Sequence, residues 1–132
     1  MDDSRLTAVP LFASLSKRER RRVAAVADEV EVSEGRHLVD QGEWAYEFFA
    51  IEDGTAKVVR DGEHVADLGA GDFLGEAGVI GKVQRNASVI ATSPLTAIVL
   101  TAHDLRAIAR DMPAVAERLR EAIDERGRVL VA

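Results

Sequence analysis

The sequence predicts an α+β fold, an antiparallel β sandwich or barrel held between helical ends, and three observations predict it. From Glu29 to about Thr101 the apolar residues follow a period of two, the spacing of strands. Nine of the ten glycines fall between Gly35 and Gly81, so turns punctuate the middle of the chain and spare both ends. On either side of that section the spacing becomes helical. The 132 residues are 47% apolar and 30% charged, which excludes a disordered or fibrous chain and fits one soluble domain spanning residues 1–132.

The chain opens on MDDSRLT, acidic where a signal peptide would be basic, and no apolar run approaches the roughly 18 residues of a membrane span. A cytoplasmic location without membrane contact is therefore expected. The absence of cysteine excludes disulfides, thiolate catalysis and Cys-ligated metal, and fits a reducing compartment. PLFASL, residues 10–15, reads as a short apolar turn leading into the first helix. That helix is expected over Ser16–Ala27, with Ser16 as N-cap, Glu19 closing a capping box and Leu15 placed as a hydrophobic staple. Its run KRERRR, residues 17–22, has two readings, the solvated face of a helix or a local basic patch. A net charge of −6 repels polyanions, so no nucleic-acid partner is expected for this chain alone.

Turn signals at Ser33–Gly35, Gln41–Glu43, Asp53–Gly54 and Asp61–Gly62 separate strand-like runs. Those runs are VEV, HLV, EFFAI, TAKVVR, HVADL, ASVIAT and LTAIVL. Helical spacing returns at HDLRAIARDM, and Pro113 is expected to start a second helix, AVAERLREAIDER, at its first turn. Val115, Leu119, Ala122 and Ile123 form one stripe, either core packing against the sheet or a movable helix that senses a ligand. A homodimer through this last helix is open, although one stripe does not serve both a sheet and a twin. The terminal VLVA suits a lid or a docking tail.

The chemistry-bearing stretch is GAGDFLGEAGVIGKVQRNASV, residues 69–89, which holds five glycines. It fails as a P-loop, because Gly81-Lys82 is followed by Val83 and the position five before Gly81 is Glu76. It fails as a dinucleotide fingerprint, because Leu74 stands where the third glycine belongs. His37, His64 and His103 stand apart, so no metal site is expected. Ser88 has no histidine near it and no carboxylates are paired as acid and base; an enzyme is not expected. What remains is a loop between Leu68 and Ala87 containing EAGVI, a one-turn helix opened by Gly75. Free N–H groups and the dipole at its start suit a small anion, and glycines let backbone approach closely. Arg85 would add the full charge through its planar fork. Glu76 makes sense if it accepts hydrogen bonds from a hydroxyl of the same ligand, as on a phosphorylated sugar; alternatively Glu76 and Arg85 pair with each other and close the loop.

These residues resemble the phosphate-binding cassette of the cyclic-nucleotide-binding domain family, Phe-Gly-Glu-Leu-Ala, a spacer, then Pro-Arg-Ala-Ala-Thr/Ser-Val. Here it stands as Leu74-Gly75-Glu76-Ala77-Gly78 and Gln84-Arg85-Asn86-Ala87-Ser88-Val89, with nine residues from Glu76 to Arg85. The resemblance implies an antiparallel β jelly roll (β-roll) of eight strands with an N-terminal helix and C-terminal helices. It also implies that Glu76 takes the ribose 2′-hydroxyl, that Arg85 takes the cyclic phosphate, and that Gly75, Ala77, Gly78, Asn86 and Ala87 offer backbone contacts. Leu74 replaces an aromatic, Gln84 a proline and Asn86 a small residue or Thr. Because a hydroxyl at the last position tends to accompany cGMP, the ligand is open between cAMP and cGMP, with cAMP favoured. The implied function is a sensor in which a cyclic nucleotide moves the C-terminal helices, with residues 118–131 as a cap over the base, to regulate a protein effector. The alternative is a vestigial, ligand-free fold used for interaction or dimerisation.

Overall fold

The structure is a computed structural model and describes residues 1–75 and 84–126. Among the described residues eight strands form two four-stranded antiparallel sheets. One has the order β1 (Asp28–Val32), β8 (Leu95–Thr101), β3 (Glu47–Asp53), β6 (Phe73–Leu74); the other has β2 (His37–Val39), β7 (Ser88–Ala91), β4 (Ala56–Arg60), β5 (Glu63–Leu68). The sheets face each other, and helices cover the outer face of the first. This is the expected jelly roll with flanking helices.

The two sheets differ in sequence because they differ in what covers them. In β3, Phe48 and Ala50 point to the helices, whereas Phe49 and Ile51 point between the sheets. In β8, Ile98 and Leu100 serve the helical core, and Leu95 and Ala97 the inter-sheet core. Burial on both faces makes EFFAI and LTAIVL nearly continuous apolar runs. The second sheet has one dry face only. Its strands alternate, with Ala56, Val58, Val89 and Ala91 buried and Lys57, Val59, Ser88 and Ile90 partly exposed.

The helical layer holds α1 (Pro10–Ala13), α2 (Lys17–Val26), α3 (Ala102–Asp111) and α4 (Pro113–Arg126). Helix α2 starts as its sequence dictates: the Ser16 hydroxyl accepts from the Glu19 N–H at 3.2 Å, and the Glu19 carboxylate accepts from the Ser16 N–H at 3.0 Å. Such a cap contributes about 1 kcal/mol. Thr101 caps α3 through the Asp104 N–H at 3.0 Å. Pro113 opens α4, where its missing N–H costs nothing. Val115 and Leu119 are buried with Phe12, Leu105 and Met112, so those two stripe residues pack inside the molecule. The side chains of Ala122 and Ile123 and the terminal VLVA lie outside the described residues.

Two segments depart from the sequence reading. Residues 10–15 are a helix, α1, followed by a turn, and a 3-10 helix over Asp3–Ala8 precedes it. Both helices are too short to display a helical period, and they form because Leu6, Val9, Leu11 and Phe12 bury themselves against α2, α3 and α4. Within the glycine-rich loop, Phe73 and Leu74 form β6 against β3. Two residues are too few to register as alternation.

Candidate functional site

Strand β3 is the platform on which the site is built. Pairing of Leu74 with Phe49 and of Phe73 with Ala50 carries the chain to Gly75 beside the start of β3. Gly75 has φ +92°, and a Cβ there would lie 2.6 Å from the Glu47 carbonyl oxygen, 2.9 Å from Arg85 Nη1 and 3.2 Å from Phe48 Cα. Neither the conformation nor the space admits another residue. Gly75 therefore lets β3 and a guanidinium meet on bare backbone.

Arg85 arrives from the other side. Trp44 and Gln84 form an antiparallel bridge, the Arg85 N–H donates to the Glu43 carbonyl at 2.6 Å, and the Arg85 carbonyl accepts from the Gly42 N–H at 2.8 Å. These bonds fix the main chain, while the side chain turns inward and is 5% exposed. Its Nη2 donates to the Glu47 carbonyl at 2.7 Å. A guanidinium stays protonated in proteins, and withdrawing that charge from water is costly unless partners offset it. Arg85 is the one buried charged residue among the described residues.

Asn86 is half-buried, and its Oδ1 is enclosed without a hydrogen-bond partner among the described residues. Ala87 is fully buried in the inter-sheet core, so any ligand contact it makes is through its backbone. The Ser88 hydroxyl accepts from the Gln41 N–H at 2.9 Å and ties β7 to the same loop that holds Arg85. Of the seven predicted site residues, the structure brings Gly75 and Arg85 together with Asn86 and Ala87 alongside. Glu76, Ala77 and Gly78, with the expected one-turn helix EAGVI, lie outside the described residues.

The loop Gly42–Glu47 is the part of the site that sequence reasoning missed. Its role is played by carbonyls and amides, which leave no trace in residue type; the QGE turn signal at its start was its one visible mark. The same loop reaches the C-terminal helices: the Ala102 N–H donates to the Tyr46 carbonyl at 2.8 Å, and Glu47 pairs with Thr101. His37 lies against Asp40 at 2.5 Å and His64 against Asp67 at 2.8 Å. No group of three metal-ligating side chains occurs among the described residues.

Elsewhere several charges are paired on the surface. Arg5 spans Glu52, at 2.6 and 2.9 Å, and Glu29, at 2.5 Å; its hydrogen bonds hold the Glu52 carboxyl below the usual carboxylate range. Arg22 meets Asp111 at 2.5 Å, and with Arg110 lowers the Asp111 pKa.

The family profile described as Cyclic nucleotide-binding domain matches residues 29–112. The chain is 37% identical over 94 residues to a cAMP-dependent protein kinase regulatory subunit of Schizosaccharomyces pombe, a match covering 70% of this chain and 23% of that protein. It is 35% identical over 95 residues to a cGMP-dependent protein kinase of Caenorhabditis elegans, covering 67% of this chain and 12% of that protein. The chain thus spans about a quarter or less of the length of these relatives. Among solved structures, the regulatory domain of Toxoplasma gondii PKA, crystallised with cAMP, superposes with a TM-score of 0.81 at 27% identity, covering 95% of this chain and 49% of that one.

Proposed function

We propose, starting from the fact that this chain belongs to the cyclic nucleotide-binding domain family, that it is a cAMP sensor whose ligand-bound state repositions the C-terminal helices and so regulates a protein effector. The observation that carries the reading is Arg85. A buried guanidinium with a fixed main chain, packed on a glycine that tolerates no side chain, is preorganised for a small anion. In this reading Arg85 binds the cyclic phosphate, Glu76 accepts from the ribose 2′-hydroxyl, and Gly75, Ala77, Gly78, Asn86 and Ala87 line the ligand with backbone.

Coupling to the helices follows from the platform. The Gly75 position abuts the Phe48 backbone, and the Phe48 ring lies in the core shared with Leu105, Ile108, Met112, Val115 and Leu119 of α3 and α4. A shift of the start of β3 is felt by that core and by the Tyr46–Ala102 hydrogen bond. Differential binding of about 1–3 kcal/mol between two helix arrangements gives roughly 5- to 150-fold regulation. Nothing in this scheme changes the ligand chemically, so the chain is read as a binding module and not an enzyme. Among the described residues no helix is long and apolar enough to cross a membrane.

Calorimetry with cAMP, cGMP and noncyclic AMP tests the reading. Saturable binding of cAMP in preference to the other two is expected. No binding of either cyclic nucleotide at millimolar concentration would leave the fold as an interaction module.

A further inference from the structure

The basic run of α2 has no part in the site described above. Helix α2 sums to +4 while the whole chain is −6, which leaves −10 on all remaining residues. The structure decides where those cations go. Arg20 is half-buried, with Nη1 donating to the Leu15 carbonyl at 2.5 Å and Nε 3.8 Å from Asp3. Arg22 is tied to Asp111, and Arg21 lies 3.9 Å from the same Asp3. Glu19 is occupied in the capping box. Lys17 and Arg18 make no ion pair among the described residues. Lys17, Arg18, Arg21 and Arg22 are all exposed.

Arg18, Arg22 and Val26 follow one another at intervals of four, with Arg21 and Ala25 in the adjoining row, so they share one face. Val26, 45% exposed, is one of the few large apolar side chains left in water. A cationic face thus ends in an apolar step.

We infer that this exposed face of α2 is a docking surface for a short acidic segment of another protein. Charge complementarity sets the sign of the partner, and the remainder of the molecule sets its size. Helix α2 is about 15 Å long, and beyond a screening length of about 8 Å a partner meets a domain that is strongly negative. A bilayer or a duplex extends past the patch and is repelled there; a peptide of Asp or Glu with an apolar residue for Ala25 and Val26 does not. Arg22 already holds the Asp111 carboxylate, which shows the chemistry that the neighbouring, less engaged Arg18 and Arg21 would repeat. The inference does not depend on nucleotide binding.

Fluorescence anisotropy with a short fluorescein-labelled peptide of glutamates and leucines tests it on the intact chain. Binding is expected at low ionic strength, weakening as salt rises, and at least about tenfold weaker in Arg18→Glu/Arg21→Glu. Arg36→Glu, a charge reversal at another exposed position, should bind like the unaltered chain. Circular dichroism reports whether the double variant folds; if it does not, Arg18→Gln/Arg21→Gln supplies the same comparison. Failure of the acidic peptide to bind, equal weakening by Arg36→Glu, or tighter capture by phosphatidylglycerol vesicles or a DNA duplex than by the peptide overturns the inference.

Discussion

Arg85 and Arg22 carry the same guanidinium in opposite settings, one buried and one exposed. Arg85 is 5% exposed, its main chain fixed by Gly42 and Glu43 and its Nη2 by the Glu47 carbonyl. Arg22 is exposed and held by a carboxylate, Asp111. Arg5 belongs with Arg22, its side chain 32% exposed between Glu29 and Glu52. Surface pairs of this kind contribute about 0–1 kcal/mol. Arg85 is instead buried against Gly75, and a guanidinium so placed makes sense as preparation for a ligand charge. The comparison predicts that removing buried Arg85 strongly weakens binding with a modest effect on folding, whereas removing surface arginines does the reverse on a smaller scale.

The largest effect is expected from Arg85→Ala. It should weaken cAMP binding by about 2–5 kcal/mol, the cost of withdrawing one side of a buried charge pair. Both main-chain bonds to Gly42 and Glu43 survive in alanine, so thermal melting should still show a cooperative fold. An unchanged calorimetric affinity would erase the distinction between the two arginines. Next comes Gly75→Ala. A Cβ 2.6 Å from the Glu47 oxygen, at φ +92°, should cost about 1–3 kcal/mol in backbone strain alone, read by urea denaturation, and should displace the guanidinium enough to weaken nucleotide binding as well.

Much of this was legible in the sequence because it rests on side-chain pattern. The Ser16–Glu19 capping box, the start of α4 at Pro113 and the doubly buried runs EFFAI and LTAIVL are written in residue type. Gly75 and Arg85 could be picked out because a left-handed glycine and a guanidinium are chemically distinctive. The parts that were not legible depend on the main chain or on very short elements. Nothing in Glu43 or Glu47 announces that its carbonyl, not its carboxylate, holds Arg85. The 3-10 helix over Asp3–Ala8, helix α1 and the two-residue β6 are dictated by burial against the finished core, and local sequence carries no period for them.

Smaller effects sharpen the surface side of the comparison. Glu52→Gln should lower stability by up to about 1 kcal/mol at neutral pH and leave cAMP affinity unchanged. Because Arg5 depresses the Glu52 pKa in the folded state, the contribution of this pair is present above the ordinary carboxylate range and disappears as pH falls through the lowered value. The variant's stability should therefore decline less steeply on the acid side than that of the parent. Smallest of all, a double-mutant cycle between Arg22→Ala and Asp111→Ala should give a coupling within about 0.2–1 kcal/mol, screened by added salt.

The most direct measurement is a crystal structure of the chain grown with cAMP. The account predicts the cyclic phosphate on the Arg85 guanidinium at about 2.7–2.9 Å, lying over Gly75. A nucleotide bound elsewhere, or a phosphate that leaves Arg85 uncontacted, would contradict it.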